Sequence, residues 1–269
     1  MNKNLFLKEA KRNAMTLVLW AVVICFLIIL TMSFYRTFIE NQSQVIGMMN
    51  LIPKSILEMR GFANINELLT ILGFYTANNT VYMMLLGSIY AIILSSNILL
   101  KEEYNKTAEY LLSRPVTRSE VFLTKLAVII MNIILRNLIA DLAGYISLEI
   151  FKTGDYNFHS YLVLVLYTFL LNLLFGSLGL FISVLVKRSK PITSFSIALV
   201  MIFYFIFSIS KITPSGEKFG YISPFKFVNS NIAETAYGIK FWHALYFIGI
   251  PLILFIISHY RYQRKDIYT

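Results

Sequence analysis

The sequence predicts an all-α integral membrane protein with six transmembrane helices and both termini in the cytoplasm. Three observations carry that prediction. Of the 269 residues, 57% are hydrophobic and only 14% charged, with a mean hydropathy of +0.67, whereas soluble domains carry about 25% charged residues. Six apolar runs, at about 15–35, 81–100, 122–150, 161–185, 192–210 and 242–258, approach or exceed the roughly 20 residues that a helix needs to cross a bilayer. They lack the short alternating pattern of a membrane barrel. Basic residues are also unevenly shared. With the N-terminus inside, the inner segments hold fifteen Lys and Arg and the outer segments eight, with Arg136 left in the membrane, as the positive-inside rule requires. The net charge of +10 is then an excess facing anionic lipid, and it calls for no nucleic-acid partner.

The chain reads as a single transmembrane domain, 1–269. Residues 1–14 mix Leu5, Phe6 and Ala10 with four basic residues, the pattern of an interfacial helix. The apolar run behind them is longer than the roughly 7–15 residues of a signal-peptide core and ends at no small-residue site, so it is expected to stay as the first span. Cys25, the single cysteine, lies in that span and can form no intrachain disulfide. The outer segment 36–79 is semi-apolar and is expected to form short helices on the extracellular surface. The second span follows.

Between the second and third spans lies the stretch 101–125, KEEYNKTAEYLLSRPVTRSEVFLTK. It is rich in charge yet holds the apolar cluster Tyr110, Leu111 and Leu112. Pro115 closes whatever helix precedes it, because the residue before a proline is pushed out of the α region. Thr117 and Glu120 then have capping-box spacing. A short helix, a proline-bounded turn and a freshly capped third helix make a cytoplasmic elbow over 101–122, with the features of a docking surface.

The third span is two-faced. At about 100° per residue, Met131, Ile134, Leu135, Leu138, Ile139, Leu142, Tyr145 and Ile146 fall on one side. Asn132, Arg136, Asn137, Ala140, Asp141, Ala143, Gly144 and Ser147 fall on the other. Ionisable residues at this depth face the bundle or a hydrated cavity, so Asn132, Arg136, Asn137 and Asp141 are candidates to line a path through the membrane. Arg136 and Asp141 are too far round the helix to pair directly, and each is expected to find its partner on another helix or another subunit. In the fourth span, Asn172, Gly176, Gly179 and Ser183 form a stripe of small residues, which lets helix backbones approach closely. After the inner turn around Pro191 comes the fifth span. The segment 211–241, with Pro214, Gly216, Gly220 and Pro224 among many aromatics, reads as short helices at the extracellular interface. Tyr260, Arg261, Arg264 and Lys265 close the chain as a basic inner anchor.

No phosphate-loop, HExxH or GxSxG pattern is present, and no internal repeat supports an inverted-repeat carrier. The chain is expected to be no enzyme, to hold no metal or cofactor of its own, and to take its energy from a partner.

The residues Glu102, Glu103, Thr107, Ala108, Glu109, Tyr110, Leu111, Leu112, Ser113, Arg114, Pro115, Val116, Thr117, Arg118 and Lys125 resemble the cytoplasmic signature of ABC-2 type permeases. These are the membrane subunits of ATP-binding-cassette exporters. The resemblance is to the branch with copper-enzyme maturation permeases and amphipathic-peptide exporters. The outer Ile222-Ser223-Pro224-Phe225 and the ending around Tyr260-Arg261 are similar too, while Lys106 stands where relatives carry a glycine. The resemblance implies a pair of permeases at the plasma membrane, each served by a separate cytoplasmic ATPase that binds ATP and Mg. It implies that the elbow seats in that ATPase, with Leu111 and Leu112 as anchors. Glu103, Thr107, Glu109, Tyr110, Arg114 and Arg118 would complete the contact. The cargo it implies is hydrophobic or amphipathic, foremost peptides. Two other readings stay open: a non-transporting immunity or sensor partner, and an ion-coupled carrier that uses Arg136 and Asp141.

Overall fold

The computed structural model describes residues 3–49, 68–104, 116–186, 192–211, 216–232 and 237–265, and among these every regular element is helical. The elements are α1 (Lys3–Ser33), α2 (Tyr35–Glu40), α3 (Gln42–Met49), α4 (Ile71–Tyr104), α5 (Arg118–Phe151), α6 (Phe158–Leu185), α7 (Ile192–Ser210), α8 (Glu217–Gly220), a 3-10 turn (Pro224–Phe227) and α9 (Phe241–Gln263). Six of them, α1, α4, α5, α6, α7 and α9, are long and apolar enough to cross a membrane.

Two boundaries differ from the sequence reading. Residues 3–14 continue without a break into the helix of the first span. The reason is that Glu9 and Asn13 on this stretch are buried and bind the neighbouring helices. The second span begins at Ile71 rather than near 81. Its opening residues look like loop because they are polar, yet Thr76 Oγ1 donates to the Leu72 carbonyl at 2.7 Å and Asn78 Nδ2 to that of Phe74 at 3.0 Å. Polar side chains that return to the backbone one turn back are compatible with a helix. Asn79 is fully buried, and Thr31 Oγ1 on α1 donates to its Oδ1 at 2.7 Å.

The centre of the bundle is the pair α4 and α6, the most buried spans, which pack on each other more extensively than any other two elements. Small residues make that approach possible. On α6, a Cβ at Gly179 would lie 2.6 Å from the Ile92 carbonyl oxygen, and one at Gly176 would lie 2.7 Å from Ile133 Cδ1. On α4, Ser88, Ala91 and Ser95 are fully buried and supply the matching surface. The α5 helix closes one flank and carries α1 on it, while α9 packs on α6 and α7 on α4. α1, α7 and α9 each leave several large apolar side chains exposed, Phe26, Phe205 and Ile256 among them, as helices facing lipid do.

Candidate functional site

The polar half of α5 is turned inward. Asn132, Arg136, Asn137, Ala140, Asp141, Gly144 and Ser147 are all buried, while Leu135, Leu138, Leu142 and Ile146 on the opposite half are exposed. The two-faced pattern follows from the helical period alone. Four polar side chains meet where α5 faces α4 and α6. Arg136 Nη1 donates to Asn137 Oδ1 at 3.2 Å, Asn172 Nδ2 on α6 donates to the same oxygen at 3.0 Å, and Ser88 on α4 donates to Asn172 Oδ1 at 3.4 Å. One turn along, Tyr90 donates to Asn132 Oδ1 at 3.3 Å.

Gly87 makes room for this knot. A Cβ there would lie 2.7 Å from Arg136 Nη1 and 2.6 Å from Asn172 Nδ2. Further along α5, Tyr161 donates to the Asp141 backbone carbonyl, and the Tyr75 and Tyr161 rings meet edge to face at 5.5 Å between centroids. Gly144 lies directly under both hydroxyls.

The structure thus brings Asn132, Arg136, Asn137 and Asp141 to one buried face and adds Asn172, which the sequence had placed in a packing stripe. The other stripe residues remain in helix contacts. Gly176 and Gly179 lie against α5 and α4, and Ser183 Oγ donates to the Leu180 carbonyl at 2.6 Å. Sequence reasoning missed Gly87, Ser88, Tyr75, Tyr90 and Tyr161. A signal existed for part of this set, since Ser88, Ala91 and Ser95 recur at three- and four-residue steps on the second span just as the stripe does on the fourth.

Arg136 is fully buried, and its Nε and Nη2 make no hydrogen bond; nor does Asp141 Oδ1. The two residues form no ion pair with each other, in keeping with their separation round the helix. The site therefore holds a buried cation and a buried carboxylate with hydrogen-bonding capacity unused, on a face otherwise lined by amides and hydroxyls.

At one end of the bundle the start of α5 meets the ends of α9 and α6. Thr117 caps α5: Glu120 N donates to Thr117 Oγ1 at 3.2 Å and Thr117 N to Glu120 Oε2 at 3.1 Å, the reciprocal capping box. Arg118 Nη1 donates to the carbonyls of Gln263 at 3.1 Å and Lys265 at 2.8 Å, and Gln263 Nε2 donates to Ser119 Oγ at 2.9 Å. Lys265 Nζ in turn reaches the carbonyls of Ser183 and Val186 at the end of α6, at 3.4 and 3.3 Å. Thr107, Glu109, Tyr110, Leu111, Leu112 and Arg114 lie outside the described residues. For Glu103 only its place in α4 is described.

A family model described as ABC-2 family transporter protein matches residues 3–267. The chain belongs to that family. This ABC-2 permease is a membrane transport component, a multi-pass protein of the plasma membrane, and membership implies association with a cytoplasmic ATP-binding-cassette ATPase. A comparison with curated proteins found no match.

Proposed function

We propose that this permease exports a hydrophobic or amphipathic substrate, foremost peptides, as one of two permease subunits served by a cytoplasmic ATPase that binds ATP and Mg. The observation that carries the reading is α5 itself, whose buried face keeps unpartnered polar atoms on Arg136 and Asp141 and whose opposite face is apolar. A path bounded by both kinds of surface suits a cargo with both kinds of group, whereas a purely apolar cargo would leave these charges without a counterpart.

In this reading Glu103, Thr107, Glu109, Tyr110, Leu111, Leu112, Arg114 and Arg118 form the docking surface for the ATPase. Leu111 and Leu112 are its desolvated anchors, and the charged residues set register. Closure of the ATPases on ATP then tilts the spans and alternates access to the path.

The test is to purify the chain with its native partners and assay the complex in inside-out vesicles. A phosphate-loop ATPase should co-purify, and a fluorescent amphipathic peptide should accumulate with ATP. Leu111→Asp with Leu112→Asp should abolish co-purification while leaving insertion intact. Unchanged ATPase binding by that variant would remove the docking role. Accumulation that ignores ATP but collapses with the ion gradient would favour an ion-coupled carrier. Absence of any ATPase would favour an immunity or sensor partner.

A further inference from the structure

The residues that bracket the elbow, Lys101 at the end of α4 and Lys125 in the second turn of α5, point at one carboxylate. Glu9 of α1 is 1% exposed and lies with Oε2 3.9 Å from Lys101 Nζ and Oε1 4.0 Å from Lys125 Nζ; Arg12 Nη2 lies 3.5 Å from the same Oε1. Lys125 is as buried as Glu9, and its ammonium also donates to the Ile98 carbonyl of α4. Lys101 donates to Asn13 Oδ1 at 3.2 Å, and Asn13 donates back to the Glu9 carbonyl at 2.9 Å. Three helices therefore converge on Glu9, and the chain leaves for the elbow and returns from it within reach of a single side chain.

Burying Glu9 and Lys125 is costly, and an apolar replacement of similar volume is often as stable or more so. A cluster of three cations on one carboxylate at this position is better explained by geometry than by stability. The base of the elbow is closed on itself and on α1. Any displacement of the α4 end relative to the α5 start must either carry α1 along or separate Glu9 from one of its cations.

α1 is suited to be carried. It runs unbroken for 31 residues, about 45 Å at 1.5 Å per residue, and packs along α5. It is fastened to α4 again at its far end through Thr31 and Asn79.

We infer that Glu9 is a positioning residue for energy coupling, the joint through which displacement of the cytoplasmic elbow moves the first helix. This inference rests on the permease reading above. Glu9 touches no cargo; it acts through Lys101 and Lys125.

The chain carries its own reporter of that motion. Cys25, its single cysteine, lies on α1 with Sγ 3.9 Å from the Ile139 carbonyl of α5, so its reactivity depends on how the two helices sit together. The experiment uses the complex purified with its ATPase and measures modification of Cys25 by N-ethylmaleimide, with no nucleotide and with ATP plus vanadate. In the wild type the two rates should differ at least about fivefold.

Glu9→Gln should keep the nucleotide-free rate, the ATPase stoichiometry and ATP hydrolysis, but lose the nucleotide-dependent change. Glu9→Asp, which keeps the charge, should restore it. Lys101→Gln, which leaves the Lys125 arm in place, should give an intermediate response and serves if Glu9→Gln does not fold. The joint is overturned if Glu9→Gln or Lys101→Gln responds to nucleotide as the wild type does. A wild type whose Cys25 rate ignores nucleotide overturns it as well, because α1 then does not move. A wild type that brings down no ATPase fails the permease reading and the joint together, a result distinct from both of these.

Discussion

Among the described residues, two clusters hold buried charge, and they are closed to different degrees. Around Glu9, three cations stand within 4.0 Å of one carboxylate. Arg136 and Asp141, by contrast, form no ion pair among the described residues, and Arg136 Nε and Nη2 and Asp141 Oδ1 make no hydrogen bond. Glu9 and Lys125 in the first and Arg136 in the second are each no more than 1% exposed. The difference is one of helix geometry. Glu9, Lys101 and Lys125 come from three helices, so each side chain can be aimed at a common point. Arg136 and Asp141 share one helix five residues apart, about 140° round its axis, and the helix itself keeps them from meeting. Depth of burial alone therefore does not assign a role to a charge. The closed cluster holds elements together, and the open one retains capacity for another group.

The largest effect should come from opening the closed cluster. Lys125→Ala leaves Glu9 without one of its two inter-helix cations and frees the Ile98 carbonyl, and removing one partner of a buried pair costs about 3–5 kcal/mol. Thermal unfolding in detergent should show that loss. A cost below about 1 kcal/mol, the range of surface pairs, would mean that the two clusters are closed to the same degree after all.

Next come the glycines, which separate packing from charge. A Cβ at Gly179 would meet the Ile92 backbone carbonyl, which cannot move without shifting α4. One at Gly87 would meet the tips of Arg136 and Asn172, which can. Overpacking costs about 1–3 kcal/mol, and Gly179→Ala should lie at the upper end and Gly87→Ala at the lower. Should Gly87→Ala prove the more damaging in the same unfolding assay, Arg136 is held as firmly as backbone, and its cluster is not the open one.

Arg136→Met sharpens the comparison further. The side chain makes one hydrogen bond, to Asn137 Oδ1, and that oxygen keeps its bond from Asn172. Losing one such bond costs about 0.5–1.5 kcal/mol, and removing a buried guanidinium with two unsatisfied nitrogens offsets part of that. Stability should therefore change by less than about 1.5 kcal/mol, while accumulation of the amphipathic peptide in vesicles should fall. A cost of about 3–5 kcal/mol, the signature of a broken buried pair, would show that Arg136 is closed by a partner.

Much of this architecture was legible from the sequence because it depends on short-range periodicity. The six spans, the two faces of α5 and the Thr117–Glu120 box each follow from spacing within a few turns. What was not legible depends on contacts far apart in the chain. Asn79 looks like a loop residue until its partner Thr31, on another helix, is known. Glu9 looks like one more charge on an interfacial helix, since nothing within 80 residues of it announces Lys101 or Lys125. Asn172 reads as a small polar member of a packing stripe, and only the fold turns it towards Asn137. The open cluster was found as a face, whereas its walls, Gly87, Tyr90 and Tyr161, come from other helices.

The smallest effect tests the one capping element between the elbow and both clusters. Thr117 Oγ1 accepts from the Glu120 amide, and the Glu120 carboxylate accepts from the Thr117 amide, so two donors at the start of α5 are satisfied by two side chains. Thr117→Ala removes the first bond and costs about 1 kcal/mol, the usual value for an N-cap; Thr117→Ser, which keeps the hydroxyl, should cost far less. Because the box lies at the helix end, the loss should be local, and hydrogen exchange is the right measurement. The Glu120 amide should exchange faster in Thr117→Ala, whereas amides around Lys125, two turns further in and fastened by Glu9, should keep their protection. Faster exchange at both places would mean that the cap, rather than the ion cluster, holds the root of α5.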